Sequence, residues 1–162
     1  MRLPIAIGAF LVASLTLSSQ VMSESPTQIA QTSVSASYKL GQLKSNQRLW
    51  NRQKIFNYRY TLSNNCFCIP EFRGPVIIEV RNGITTSIKS VNTGKAVNLE
   101  LLKKYSTIPK LFNLIKNTIN STESELTVQY NPKLGYPTQI NIGNLAADAG
   151  VFTTVVNFQE IP

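Results

Sequence analysis

Val76-Ile77-Ile78-Glu79-Val80-Arg81-Asn82-Gly83-Ile84-Thr85-Thr86-Ser87-Ile88-Lys89-Ser90-Val91 is the stretch from which the fold can be read. Two β-prone runs flank Asn82-Gly83, and both turn residues tolerate positive φ. The chain therefore reverses there in a two-residue hairpin. Upstream, Asn57-Tyr58-Arg59-Tyr60-Thr61-Leu62-Ser63 alternates strictly, with Tyr58, Tyr60 and Leu62 on one face and Arg59, Thr61 and Ser63 on the other. That period of two marks a half-buried strand. Asn64-Asn65 is read as its interruption, followed by Cys66-Phe67-Cys68-Ile69-Pro70 and an Arg73-Gly74-Pro75 loop.

Leu40, Leu43 and Trp50 follow a helical stripe with cations on the far side, which predicts a helix from about Leu40 to Lys54 with Trp50 as a core anchor. Downstream of the hairpin, Leu99 to Leu102 is read as a short helical turn. Ile108, Leu111, Phe112, Ile115 and Ile119 recur at helical spacing behind Ser106, Thr107 and Pro109, which suit a cap and a first turn. Leu126 to Tyr130 alternates again. Asn131-Pro132-Lys133-Leu134-Gly135 turns the chain into a strand from Tyr136 to Ile142. Val151 to Phe158 closes the series, with Phe152, Val156 and Phe158 read in phase. The expected fold is α+β: an antiparallel sheet of about six strands with two helices packed on one face, in the order α-β-β-β-α-β-β-β. The repeated αβββ order suggests an internal duplication, without residue identity between the halves.

The first residues predict export. Arg2 precedes an apolar run from Leu3 to Leu17, shorter than a bilayer span, with Val21-Met22-Ser23 before a cleavage point ahead of Glu24. The expected organisation is a signal peptide at 1–23, a flexible Ser/Thr/Gln-rich leader at 24–37, and a single domain at 38–162. The product is expected in the periplasm or outside the cell, with no transmembrane segment after cleavage. Export makes nucleic acid an unsuitable partner. The formal net charge of +8 favours anionic partners among envelope components and proteins, although the cations are scattered as in any soluble surface.

The chain has no His and only eight carboxylates. Ser-His-Asp, Cys-His and His-based metal chemistry are therefore excluded, and no acid/base motif is present. No catalytic residue, metal or cofactor is expected. The two cysteines, Cys66 and Cys68, are the reactive feature. Fully extended, their Cα atoms would stand roughly 6.5–7 Å apart, at the limit for a disulfide, whereas a turn brings them within reach. They are read as a structural disulfide or as a redox pair with Arg59 or Arg73 beside the thiolate; a metal site lacks ligands. The Tyr58/Tyr60 stripe with Arg59 reads as one core and one wet strand face rather than as a glycan or peptide platform. Lys133 and Tyr136 in the proline-framed turn, with Asp148 in the Asp148-Ala149-Gly150 turn, are candidates for a stiff recognition loop.

Trp50, Asn57 to Leu62 and Cys66-Phe67-Cys68, followed by Val80-Arg81-Asn82-Gly83, Thr107 to Phe112, Tyr130 to Pro137 and Ala147-Asp148-Ala149-Gly150, resemble in order the blocks of the DUF6174 family of exported bacterial proteins. The resemblance spans about residues 45–158 and implies no established activity. The lipoprotein cysteine frequent in that family is absent here. So is an acidic residue near Gly143, which leaves Asp148 without a partner for holding a cation. The readings that follow are an exported non-catalytic binding or interaction protein, a thiol–disulfide redox protein using Cys66 and Cys68, or an inhibitor of a secreted enzyme.

Overall fold

The computed structural model describes residues 26–121, 125–143 and 149–162, with side chains from residue 35 onward. The signal peptide assigned to 1–23 and the candidate Asp148 lie outside the described residues. Helix α1 (Pro26–Gln53) leads into β1 (Tyr58–Asn65), a single helical turn α2 (Pro70–Arg73), then β2 (Val76–Arg81) and β3 (Ile84–Ser90). A 3-10 helix (Leu99–Tyr105) precedes α3 (Ile108–Asn120), after which come β4 (Leu126–Tyr130), β5 (Pro137–Ile142) and β6 (Val151–Glu160).

The six strands form one antiparallel sheet in the order β3-β2-β1-β6-β5-β4. Two three-stranded meanders thus meet at the first and last strands, β1 and β6. The α+β class with its antiparallel sheet stands as the alternation implies. Asn82 and Gly83 have φ of 51° and 75°, the left-handed pair that a tight hairpin of this twist requires. Carrying β1-β2-β3 onto β4-β5-β6 keeps their order across the sheet but reverses every strand, which turns the sheet over. The helices of two such halves would then lie on opposite faces. Here α1 and α3 pack against each other, so the geometry gives the suggested duplication no support.

One face of the sheet is dry. Tyr58, Tyr60 and Leu62 of β1, Val76, Ile78 and Val80 of β2, Ile140 of β5 and Val155 of β6 are buried beneath Leu43 and Trp50 of α1 and Ile108, Leu111, Phe112 and Ile115 of α3. Trp50 meets Tyr58, Tyr136 and Phe158 edge-on, with ring centroids 5.5, 6.2 and 5.6 Å away. Such aromatic contacts add about 0.5–1.5 kcal/mol each beyond the area they bury. The start of α3 is capped as expected: the Thr107 side chain accepts from the Lys110 amide, and Pro109 occupies the first turn. The Ile108 amide donates to the Tyr58 hydroxyl at 3.0 Å, and the Tyr60 hydroxyl donates to the Tyr105 carbonyl at 2.6 Å. The tyrosine stripe is therefore core with satisfied polar ends.

Four elements differ from the sequence reading. Helix α1 begins at Pro26, within the stretch assigned to a flexible leader; no proline interrupts the chain from Thr27 to Gln53, so a helix anchored at Leu43 and Trp50 continues backward without an apolar period. Asn64 and Asn65 complete β1 rather than interrupt it, and α2 occupies part of the expected loop. In β6 the inward positions are Thr153, Val155 and Phe158, whereas Val156 is exposed. The cause is a bulge: Thr61 pairs with Val156 but Arg59 with Gln159, and Asn157 takes the positive φ of 54°. One extra residue shifts every later side chain to the other face.

Candidate functional site

The distinctive surface lies where β1 ends. Asn64 occupies an inward position, 4% exposed, and both ends of its amide are engaged. Its Nδ2 donates to the Phe72 carbonyl at 2.9 Å, and its Oδ1 accepts from the Thr153 hydroxyl at 2.7 Å. A buried amide left without partners would cost about 1–3 kcal/mol, so these two bonds decide the local path. They fix the strand end to α2 on one side and to β6 on the other. The four residues between, Cys66 to Ile69, are pushed outward.

Cys66 and Cys68 form a disulfide with their Cα atoms 5.4 Å apart, closer than an extended chain allows, so the chain turns here. A ring closed across one residue holds both sulfurs on one side of the backbone and the middle side chain on the other, which here is the solvent side. Phe67 is accordingly 95% exposed, the most exposed large apolar residue described, and Ile69 beside it is 52% exposed. Cys66, Phe67, Cys68, Ile69 and Arg73 line a shallow depression of about 370 Å³. Across α2 lies a second hollow of about 400 Å³, with Glu71, Ser90, Thr93 and Lys95 in its wall. The tip thus presents two apolar side chains beside an exposed guanidinium. Both sulfurs are half-buried at its rim. Arg59 points from the other face of β1 and donates to the Gln159 side chain at 2.7 and 2.9 Å, so Arg73 is the cation beside the cysteines.

The proline-framed turn lies at the opposite end of β5. Asn131 organises it through its side-chain oxygen, which accepts from the amides of Lys133 and Leu134 at 3.0 and 2.9 Å. Gly135 has φ of 82° and lies against α1, where a Cβ would collide with the Asn46 carbonyl. This contact turns Tyr136 inward. Its ring is 7% exposed, stacks on Phe158 with centroids 4.6 Å apart, and belongs to the core rather than to a recognition surface. Lys133 is exposed.

Burial raises every buried phenol's pKa. Tyr58 and Tyr130 are pushed up to about 12, and Tyr60, Tyr105 and Tyr136 are raised for the same reason. These groups stay protonated near neutrality and serve as hydrogen-bonding core residues. Among the described residues no three His, Cys, Asp or Glu side chains converge as a metal site would require, and no helix is long and apolar enough to cross a membrane. The sequence reading named the cysteines but passed over Phe67. Its signal was its position: with Cys66 and Cys68 bridged on one side of the backbone, the residue between them points to the other side.

A family model matches residues 42–160, from the middle of α1 to the end of β6; it is DUF6174, described as a family of unknown function. No curated protein and no solved structure matches the chain.

Proposed function

The chain belongs to the DUF6174 family, and from that premise we propose that it is an exported, non-catalytic binding protein whose contact surface is the cystine-closed tip with Phe67 as anchor. The observation that carries the reading is the 95% exposure of Phe67 on a loop closed covalently at its base. An apolar ring held in water costs free energy that a partner's pocket recovers. Because the ring is already positioned, little conformational entropy is lost on binding. Aromatic anchors of this kind commonly contribute about 2 kcal/mol or more to an interface, roughly thirty-fold in affinity. Arg73 and the net charge of +8 favour an envelope component or protein with acidic groups around an apolar pocket. Export follows from the basic and then apolar start of the chain, and the exported form begins at Glu24.

Photocrosslinking tests the contact. Benzoylphenylalanine placed at position 67 in growing cells is expected to give a discrete adduct, while the same group at Asn113, exposed on α3, gives none. Equal labelling from both positions would remove the tip from consideration. Fractionation with intact-mass measurement tests export. A chain retained in the cytosol with residues 1–23 attached would end that part of the reading.

The position of the disulfide supports a second reading. Both cysteines, half-buried, line the open depression that Arg73 also lines, which gives an attacking dithiol a way in and sets a cation near the emerging thiolate. In that reading the pair takes up two electrons and two protons from a dithiol, which becomes a disulfide. Mass spectrometry after equilibration with reduced glutathione separates the two: a bond that stays closed excludes exchange, and a gain of two hydrogens favours it. The inhibitor reading uses the same tip, inserted into an enzyme cleft. It requires that the crosslinked partner be an enzyme whose turnover falls in the complex.

A further inference from the structure

The two outer edges of the sheet are finished differently. At β3 the chain folds back over its own edge: the Val97 amide donates to the Ile88 carbonyl, the Ser90 amide to the Lys95 carbonyl, each at 2.9 Å, and Lys89 bridges Ala96. The Thr85 hydroxyl further donates to the Ser106 carbonyl. Lys89 adds a charge on that strand. At β4, among the described residues, nothing pairs with the outer side. The strand is short, with a register irregularity at its Tyr130 end, but it reads Leu126-Thr127-Val128-Gln129-Tyr130, so it lacks the charge and the proline that most directly discourage strand addition.

The register fixes which backbone groups are free. The Gly143 amide donates to the Glu125 carbonyl, which makes Glu125 and Gly143 a hydrogen-bonded pair. By alternation Thr127–Asn141 and Gln129–Gln139 are hydrogen-bonded pairs too, and the amides and carbonyls of Leu126, Val128 and Tyr130 point outward.

We infer that the β4 edge is an interaction surface and that its occupant is β4 of a second copy of this chain, paired antiparallel about a two-fold axis through Val128. Three features of the strand make it complementary to itself. Val128 carries outward backbone groups, so it pairs with its own copy through both. Leu126 then faces Tyr130 of the second copy on the dry side, and Thr127 faces Gln129 of the second copy on the wet side; no like charges meet. Glu125 comes opposite Asn131 of the second copy, so its charge meets an uncharged side chain. The two sheets become one of twelve strands, related by a closed symmetry that buries the edge and stops growth. Five residues of edge bury little area, so the association is weak and depends on protein concentration.

Sedimentation velocity on the purified protein from low micromolar to several hundred micromolar is expected to show a concentration-dependent shift from monomer to dimer. Over the same range the amides of Leu126, Val128 and Tyr130 should slow in hydrogen exchange, while Thr127 and Gln129 change little. Val128→Pro removes one outward donor without touching the ladder to β5, and should abolish the dimer. Should that variant fail to fold by circular dichroism, Thr127→Lys with Gln129→Lys tests the same edge, and Thr86→Lys on β3 is the control that must leave the dimer intact. A protein that stays monomeric throughout overturns the inference. So does a dimer that survives the β4 variants, or protection of the β4 amides only when a different protein is added.

Discussion

The tip at Cys66–Cys68 and the turn at Asn131–Pro137 join neighbouring elements at opposite ends of the same sheet, and sequence marks both as candidate sites, the first as a disulfide or redox pair and the second as a recognition loop. In the fold they have opposite solvent relations. The turn is held by packing: Gly135 lies on the α1 backbone and Tyr136 stacks against Phe158 within reach of Trp50. The tip is held by a covalent bond and by one buried amide, Asn64, and turns Phe67 outward. Rigidity obtained from packing consumes the side chains that provide it. Rigidity obtained from a disulfide leaves the intervening side chain free for a partner.

Substitutions at the two ends should separate accordingly. Tyr136→Ala removes a stacked core ring and is expected to destabilise the protein by about 3–5 kcal/mol in urea unfolding. Gly135→Ala places a Cβ against the Asn46 carbonyl at a positive φ, and should cost about 2–3 kcal/mol by the same measurement. Cys66→Ser with Cys68→Ser opens a very short loop, for which chain entropy gives about 1–2 kcal/mol. Phe67→Ala should change stability by less than about 0.5 kcal/mol while weakening the crosslink partner's binding roughly thirty-fold or more. A loss at Phe67 as large as that at Tyr136 would erase the distinction between the two regions.

The buried phenols sharpen it from another side. Their pKa values are raised in the folded state, so the unfolded chain loses its phenolic protons first. Stability from these groups is complete below pH 10 and falls as pH rises from there, with Tyr58 titrating near 12. Urea midpoints should be flat from pH 8 to 10 and then drop. An equal drop in a Tyr58→Phe variant would assign it to other groups. The sulfurs, already paired, play no part in this titration.

Much of the frame was legible because it follows from periodicity. Tyr58, Tyr60 and Leu62 declare a buried face, Asn82-Gly83 declares its hairpin, and Thr107 with Pro109 marks a helix start. What was not legible depends on contacts distant in sequence. The inward Phe158, out of phase with the exposed Val156, follows from a bulge at Asn157 where β6 pairs with β1, nearly a hundred residues earlier. Asn64 reads as a strand breaker until Phe72 and Thr153 are known to satisfy it. Tyr136 reads as a loop residue until α1 is placed beneath Gly135. The cysteines were visible as a pair, but the consequence for the residue between them required the turn.

Hydroxyl-radical footprinting of the purified protein and of the same protein in intact cells tests the central claim most directly. Phe67 should be the most heavily modified aromatic residue in the purified protein and should become protected in cells, while Tyr136 resists modification in both. Equal modification of Phe67 in the two settings, or Tyr136 reacting as readily as Phe67, would contradict the account.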